Sequence, residues 1–200
     1  MNLFFNLLRN LSTALAVVAG FATFILAFLI GIDVLARKFF GISLQGTDEI
    51  GGYVLAAVAS LGFSHVLFER GFTRIDLFVK RFNVRLLNIL NVTAYVSLAA
   101  VAVFFAQRGV ATYSDTLLFN AHANTPLQTP MWIPQGFWVA GMVFFAFCAV
   151  LYAARALLLL FIDQSALEAE YGFTEFDEEI AEISELSSSA TQPTDDGKRQ

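Results

Sequence analysis

The sequence predicts an all-α integral membrane protein. It should have four transmembrane helices, a short interfacial helix between the second and third, and an acidic C-terminal tail. Three observations carry this. Of 200 residues, 57% are hydrophobic and 14% charged, with 22 Phe; a soluble domain runs at ~45–50% apolar and ~25% charged, so the apolar excess must face lipid. The apolar residues gather in four runs of membrane-crossing length. Charge is also segregated. Residues 1–162 hold ten Lys/Arg against six Asp/Glu, net +4, and residues 163–200 hold two against eleven, net −9, which together give the −5 of the chain. The acidic isoelectric point of 4.9 therefore describes the tail. The composition gives no support for a nucleic-acid partner.

The first span covers about residues 11–35. From residue 10 to residue 32 there are 23 consecutive uncharged positions, against the roughly 20 needed to cross the hydrocarbon. This is longer than the ~7–15-residue core of a secretory signal. It also runs into Asp33, Arg37 and Lys38 rather than a small-residue cleavage site, so it reads as a retained span. The second covers 50–68, with Ser60, Ser64 and His65 as its notable polar groups. Ahead of it, Thr47 or Asp48 is a plausible N-cap, and Glu49 suits the first turn of a helix. The third covers 86–107, diluted by Asn88, Asn91, Thr93 and Ser97. The fourth covers about 135–162, with Arg155 near its end. These spans form one transmembrane domain, residues 1–162.

The connections set the expected orientation. Between spans two and three, Arg70, Arg74, Lys80, Arg81 and Arg85 alternate with Ile75, Leu77, Phe78, Val79 and Phe82, a pattern that suits a short helix lying in the interface. Between spans three and four, 109–134 has no Lys or Arg, and Pro126, Pro130 and Pro134 oppose a long helix. Basic loops stay in the cytoplasm, so the second loop is expected inside, the third outside, and both termini inside. Arg9 agrees; Arg37 and Lys38 in the first loop oppose it mildly. Trp132, Trp138 and Tyr152 would form aromatic belts at the ends of span four. Residues 163–200 form an acidic cytoplasmic tail. Phe173, Phe176, Ile180, Ile183 and Leu186 recur at helical spacing, and the end from Ser187 reads as disordered.

Catalytic and metal-binding patterns do not emerge. The sequence holds one cysteine, Cys148, and two histidines, His65 and His122, with no HExxH, no CxxC, no nucleophile–base pair and no phosphate-binding glycine loop. No cofactor is expected. His65 precedes Glu69 by four residues, which suits a local hydrogen bond or a helix–helix contact, with a proton-relay role as the rival. The charges near span ends are the informative ones. Asp33 and Arg37 are spaced to pair on one helix face, and Asp48 and Glu49 could reach Arg37 or Lys38 across the first loop. Each could equally be an interface anchor or a contact with another subunit. In span two, Gly52, Ala56, Ser60 and Ser64 form a small-residue stripe that permits close helix approach, to a neighbour in this chain or in another. No internal repeat or mid-span break marks a complete carrier.

The run from Asp33 through Arg37 and Lys38 to Gly41, followed by Gly46-Thr47-Asp48-Glu49-Ile50-Gly51-Gly52-Tyr53, resembles the small permease subunit of tripartite ATP-independent periplasmic (TRAP) transporters. So do Arg70-Gly71-Phe72-Thr73-Arg74-Ile75-Asp76-Leu77 after span two and Thr125-Pro126-Leu127 with Thr129-Pro130-Met131-Trp132 before span four. The likeness covers about residues 15–160 and leaves the tail outside. It implies a subunit of the bacterial inner membrane that scaffolds a large permease subunit. That larger chain carries out sodium-coupled uptake of a solute, often an organic acid, delivered by a periplasmic substrate-binding protein. By analogy Asp33, Arg37, Asp48, Glu49, Arg74 and Asp76 become candidates for structural or subunit contacts, joining Gly52, Ala56 and Ser60 from the stripe. The rival readings are a self-sufficient small channel or carrier and, more remotely, a membrane enzyme or electron carrier.

Overall fold

The computed structural model of the protein describes residues 3–42, 45–69, 71 and 84–162. Within them lie four helices, α1 (Leu3–Phe40), α2 (Thr47–Phe68), α3 (Val84–Leu118) and α4 (Trp132–Ile162). All four are long and apolar enough to cross a membrane. The stretch expected to form an interfacial helix and the acidic tail fall outside the described residues.

The helices outrun the apolar runs. At 1.5 Å per residue α1 is about 57 Å long, α3 about 52 Å and α4 about 46 Å, against a hydrocarbon thickness of about 30 Å. A helix ends where its backbone is broken, not where side chains turn polar. α1 continues until Gly41, at φ 67, whose amide donates to the Arg37 carbonyl; Arg37 and Lys38 fill the last turn, where cations suit the dipole. α3 passes through Arg108 and Gly109 and stops only near Asn120, at φ 47, so the first part of the expected outer loop is helix. Pro134 is the third residue of α4, where a missing amide proton costs nothing. The cap expected from Thr47 or Asp48 is not made. Gly46, at φ 92, occupies that position with no side-chain cap bond.

Packing follows two small-residue seams. On α3, Val92, Tyr95, Ala99, Ala102, Ala106 and Gly109 are buried at alternating intervals of three and four; on α4, Val139, Met142, Ala146, Ala149, Ala153 and Ala156 repeat the pattern. Alternating three and four is the spacing of a left-handed helix pair. Alanines and glycine let the backbones close up where lipid supplies no hydrophobic drive. A second stripe on α4, Gly141, Phe145 and Cys148, faces α2. There Ser60 lies against Gly141, and Phe63 sits 5.4 Å from Phe145, ring to ring. On α1, Ser12, Ala19, Leu26 and Asp33 are buried at intervals of seven, and Leu26 reaches Gly51 of α2.

The resulting order of neighbours is α1, α2, α4, α3. The helices form a layer with α1 and α3 at its edges, and at the tail end side chains from all four, Leu8, Phe68, Tyr95 and Ala153 among them, share one buried cluster. Hydroxyls on the helices bond back to their own backbone, Ser12 to Arg9 and Ser60 to Ala57 in the interior and Thr23 to Ala19, Thr93 to Ile89 and Ser97 to Ala94 on exposed faces, while the buried Ser64 hydroxyl is left without a partner. Asn88 and Asn91, which dilute the third apolar run, are turned inward and buried. The edge of the layer bearing residues 119–131 is called the loop end below, and the opposite edge the tail end.

Candidate functional site

The loop end is an ordered cap. Ala123 donates its amide to the Thr129 carbonyl and Met131 to that of Ala121, while His122 and Pro130 pair as an antiparallel bridge. Thr125, Pro126, Leu127 and Gln128 make the turn, closed by the Gln128 amide on the Thr125 carbonyl, with Pro126 in the position where its fixed φ is favoured. The tip of this hairpin comes down on the start of α2. Leu127 packs on the Cα of Gly46 so closely that no Cβ fits there, and the left-handed backbone of Gly46 independently requires glycine. One turn on, Glu49 Oε1 accepts a 2.7 Å hydrogen bond from the Tyr53 hydroxyl, with Thr125 and Thr129 of the hairpin beside the same carboxylate. The Tyr53 hydroxyl also lies 3.6 Å from the sulfur of Met131. Glu49 therefore ties the hairpin to α2, instead of reaching Arg37 or Lys38. Asp48 is exposed.

Asp33 and Arg37 do pair, at 2.6 Å. The two ends of this bond live in different media, since the Asp33 side chain is 4% exposed and that of Arg37 58%. The carboxylate is held at the α1–α2 seam, and the guanidinium reaches out.

A second set of contacts gathers the tail end. Arg9 of α1 donates through Nε and Nη2 to Glu69 Oε1, at 3.1 and 2.8 Å. Thr13 lies 3.4 Å from His65 Nδ1, so His65 makes a helix–helix contact and its expected partner Glu69 is engaged elsewhere. Tyr152 of α4 is ringed by Phe5, Phe68 and Tyr95 at centroid distances of 5.9, 5.3 and 6.1 Å. Arg155 sits 4.9 Å above Phe5. The start of α1 is thereby carried past α2 to α4.

The stripe on α2 divides. Ser60 and Ser64 are fully buried, whereas Gly52 and Ala56 lie on the open face. Arg74 and Asp76 lie outside the described residues. An open groove of about 580 Å³ along α4, with Tyr113, Val139, Val143 and Phe147 in its lining, offers no charged group to a solute. Among the described residues no cluster of three or more His, Cys, Asp or Glu side chains could hold a metal. Sequence reasoning passed over two features. The alanine seams of α3 and α4 carry a legible signal, small residues at alternating intervals of three and four. The clasp between Leu127 and Gly46 has none, because nothing in either segment names the other.

The geometry is that of a membrane-spanning layer with a tied-down cap at one end and an aromatic clasp at the other. Comparison with curated proteins and with solved structures finds no match. Residues 26–159 match the model of the DctQ component of tripartite ATP-independent periplasmic transporters, a family of transporter components rather than enzymes. The match spans three of the four helices in near entirety and the C-terminal part of α1, together with the loop-end cap, and on that ground the chain belongs to the DctQ family and is a TRAP-transporter small membrane subunit.

Proposed function

We propose that this chain scaffolds the large permease subunit of its transporter in the bacterial inner membrane. Both termini lie in the cytoplasm, and so does the acidic tail. The large subunit carries out sodium-coupled uptake of a solute, an organic acid by the family's habit, brought by a periplasmic binding protein. One observation carries the scaffold role: the described helices pack as a layer, α1 beside α2 beside α4 beside α3, which leaves broad apolar faces available for contact with another membrane protein. A carrier needs a site between packed elements that open to alternate sides, whereas a flat layer suits bracing a larger body. Charge asymmetry supports the orientation, since the loop-end segment 109–134 lacks Lys and Arg while the loop between α2 and α3 is rich in them.

The test is co-purification from native membranes in mild detergent through a C-terminal tag. Recovery of a multi-span permease in fixed ratio is expected. Recovery of this chain alone in several detergents, together with solute transport by it in liposomes, would overturn the scaffold reading in favour of a self-sufficient carrier.

A further inference from the structure

The two flanking helices carry uncharged runs of nearly equal length at different levels. In α1, residues 10–32 lie between Arg9 and Asp33; in α3, residues 86–107 lie between Arg85 and Arg108. Contacts put these four charges on the scale of α2. Arg9 pairs with Glu69, one residue past the end of α2. Leu26 lies beside Gly51, and Asp33, seven residues on, is about 10 Å nearer the loop end, beyond the first residue of α2. Gly109 lies against Val139 and Gly141 against Ser60, so Arg108 is level with Ser60 to within a few ångströms. Tyr152 is 5.3 Å from Phe68 and 6.1 Å from Tyr95, ring to ring. Arg85, ten residues before Tyr95, therefore stands about 15 Å past Phe68 at the tail end.

The uncharged band of α3 is thus displaced toward the tail end from that of α1, by about 15 Å at one boundary and about 20 Å at the other. The band of α2, residues 50–68, falls between them. A bilayer perpendicular to the helices would find only the levels from Ser60 to Glu69 free of charge on all four, about 15 Å, half of the roughly 30 Å hydrocarbon. Every such placement leaves Arg108, or Arg9 and Glu69, inside the hydrocarbon, where ionisable side chains are costly. The flanking helices stand three neighbour spacings apart, about 24–30 Å. A displacement of about 15–20 Å over that width is a slope of about 35°, within the 0–40° range of membrane helices. At that slope the hydrocarbon takes about 36 Å of helix, or about 24 residues. The uncharged runs of α1 and α3, 23 and 22 residues, match this.

We propose that the bilayer crosses this layer obliquely, so that the belt in contact with lipid hydrocarbon runs from Arg9 to Asp33 on α1 and from Arg85 to Arg108 on α3. The slope assigns surroundings that the helix ends alone do not. Ile32, level with the outside of α2, sits among acyl chains, while Thr112, level with the interior of α2, reaches the headgroups. Arg37 and Lys38 come to about 20 Å from the midplane, the depth of lipid phosphates. The inference needs only that the chain spans the membrane, and it stands apart from the scaffold reading.

The experiment places the full chain alone in nanodiscs of phosphatidylethanolamine and phosphatidylglycerol, so that no partner shields a face. Single cysteines replace Leu7, Ile32, Ile89 and Thr112, all exposed, and carry a nitroxide; Cys148 is fully buried and stays in place. Depth is read from collisions with oxygen against collisions with a water-soluble nickel chelate. At the loop end a perpendicular bilayer puts Ile32 about 12 Å further out than Thr112, whereas the oblique one puts Thr112 about 5 Å further out. At the tail end a perpendicular bilayer puts Ile89 about 9 Å outside Leu7, and the oblique one puts Leu7 about 8 Å outside Ile89. The expected result is the oblique order at both ends, with oxygen dominating at Ile32 and Ile89 and nickel at Thr112 and Leu7. Equal depths at either end, or Ile32 outside Thr112, would overturn the proposal. Neither result alters what co-purifies with the chain, so the subunit reading is decided separately.

Discussion

Gly141→Ala is the sharpest test of how α2 and α4 are held together. The added methyl would lie 2.6 Å from Ser60 Oγ and 2.9 Å from both Cβ and the carbonyl carbon of Ser60. Rotating the serine hydroxyl removes the first contact only, since the third is with backbone. The helices must therefore move apart by several tenths of an ångström, loosening Phe63 on Phe145 and the burial of Cys148. Overpacking of this kind costs about 1–3 kcal/mol, and at about 2–4 °C per kcal/mol for a chain of this size the midpoint should fall by about 2–12 °C. Cys148, which is fully buried, supplies the assay: its thiol should react with a maleimide only as the seam opens, so labelling against temperature in detergent reports the transition. Gly136→Ala is the control, because its Cβ would meet Tyr113 at an ordinary 3.7 Å, and it should shift the curve little. Adding Ser60→Gly to Gly141→Ala should recover part of the loss, because two of the three contacts disappear. A Gly141→Ala protein that labels at the same temperature as wild type and as Gly136→Ala would refute the close approach of these helices.

Other expectations follow from the two ends of the layer. Gly46→Ala meets both Leu127 and a left-handed backbone, and should cost about 1–3 kcal/mol; limited proteolysis should show faster cleavage in the 119–131 hairpin, and adding Leu127→Ala should restore only the steric share. Arg37→Leu should destabilise more than Asp33→Asn, because it leaves a buried carboxylate without its cation, a change worth about 3–5 kcal/mol in buried pairs, whereas the exposed Arg37 can turn to water; thermal midpoints of the two proteins check the order. Glu69→Gln should lower stability by no more than about 1 kcal/mol, since both partners of the Arg9 pair are nearly half exposed, and a larger fall in midpoint would show that the pair holds the clasp. Ala56→Leu, on the open face, should leave the isolated chain's midpoint within about 0.5 kcal/mol of wild type, and reduced recovery of the large permease with this variant would place α2 at the subunit contact.

Much of this protein is local and therefore legible in its sequence. Hydropathy over a window of twenty residues is enough to find four spans, because each helix satisfies its own backbone and needs no neighbour to be stable in lipid. The Asp33–Arg37 pair is equally local, since four residues bring two side chains onto one face of any helix. The motifs around Asp33–Gly41 and Gly46–Tyr53 sufficed for the family. The tertiary structure decided which helix lies beside which, and that Ser60 and Ser64 are buried while Gly52 and Ala56 are not. It also decided that Glu49 clasps a hairpin about eighty residues away, that Glu69 goes to Arg9 rather than His65, and that Arg108 lies within a continuous helix rather than at the margin of a loop. The physical reason is common to all of these. In a membrane the side of a helix facing lipid and the side facing another helix are both apolar, so the contrast that marks a soluble helix's inner face is missing. What remains to orient a helix is the fit of small side chains and a few polar groups against partners distant in the chain, and only three-dimensional packing brings those together.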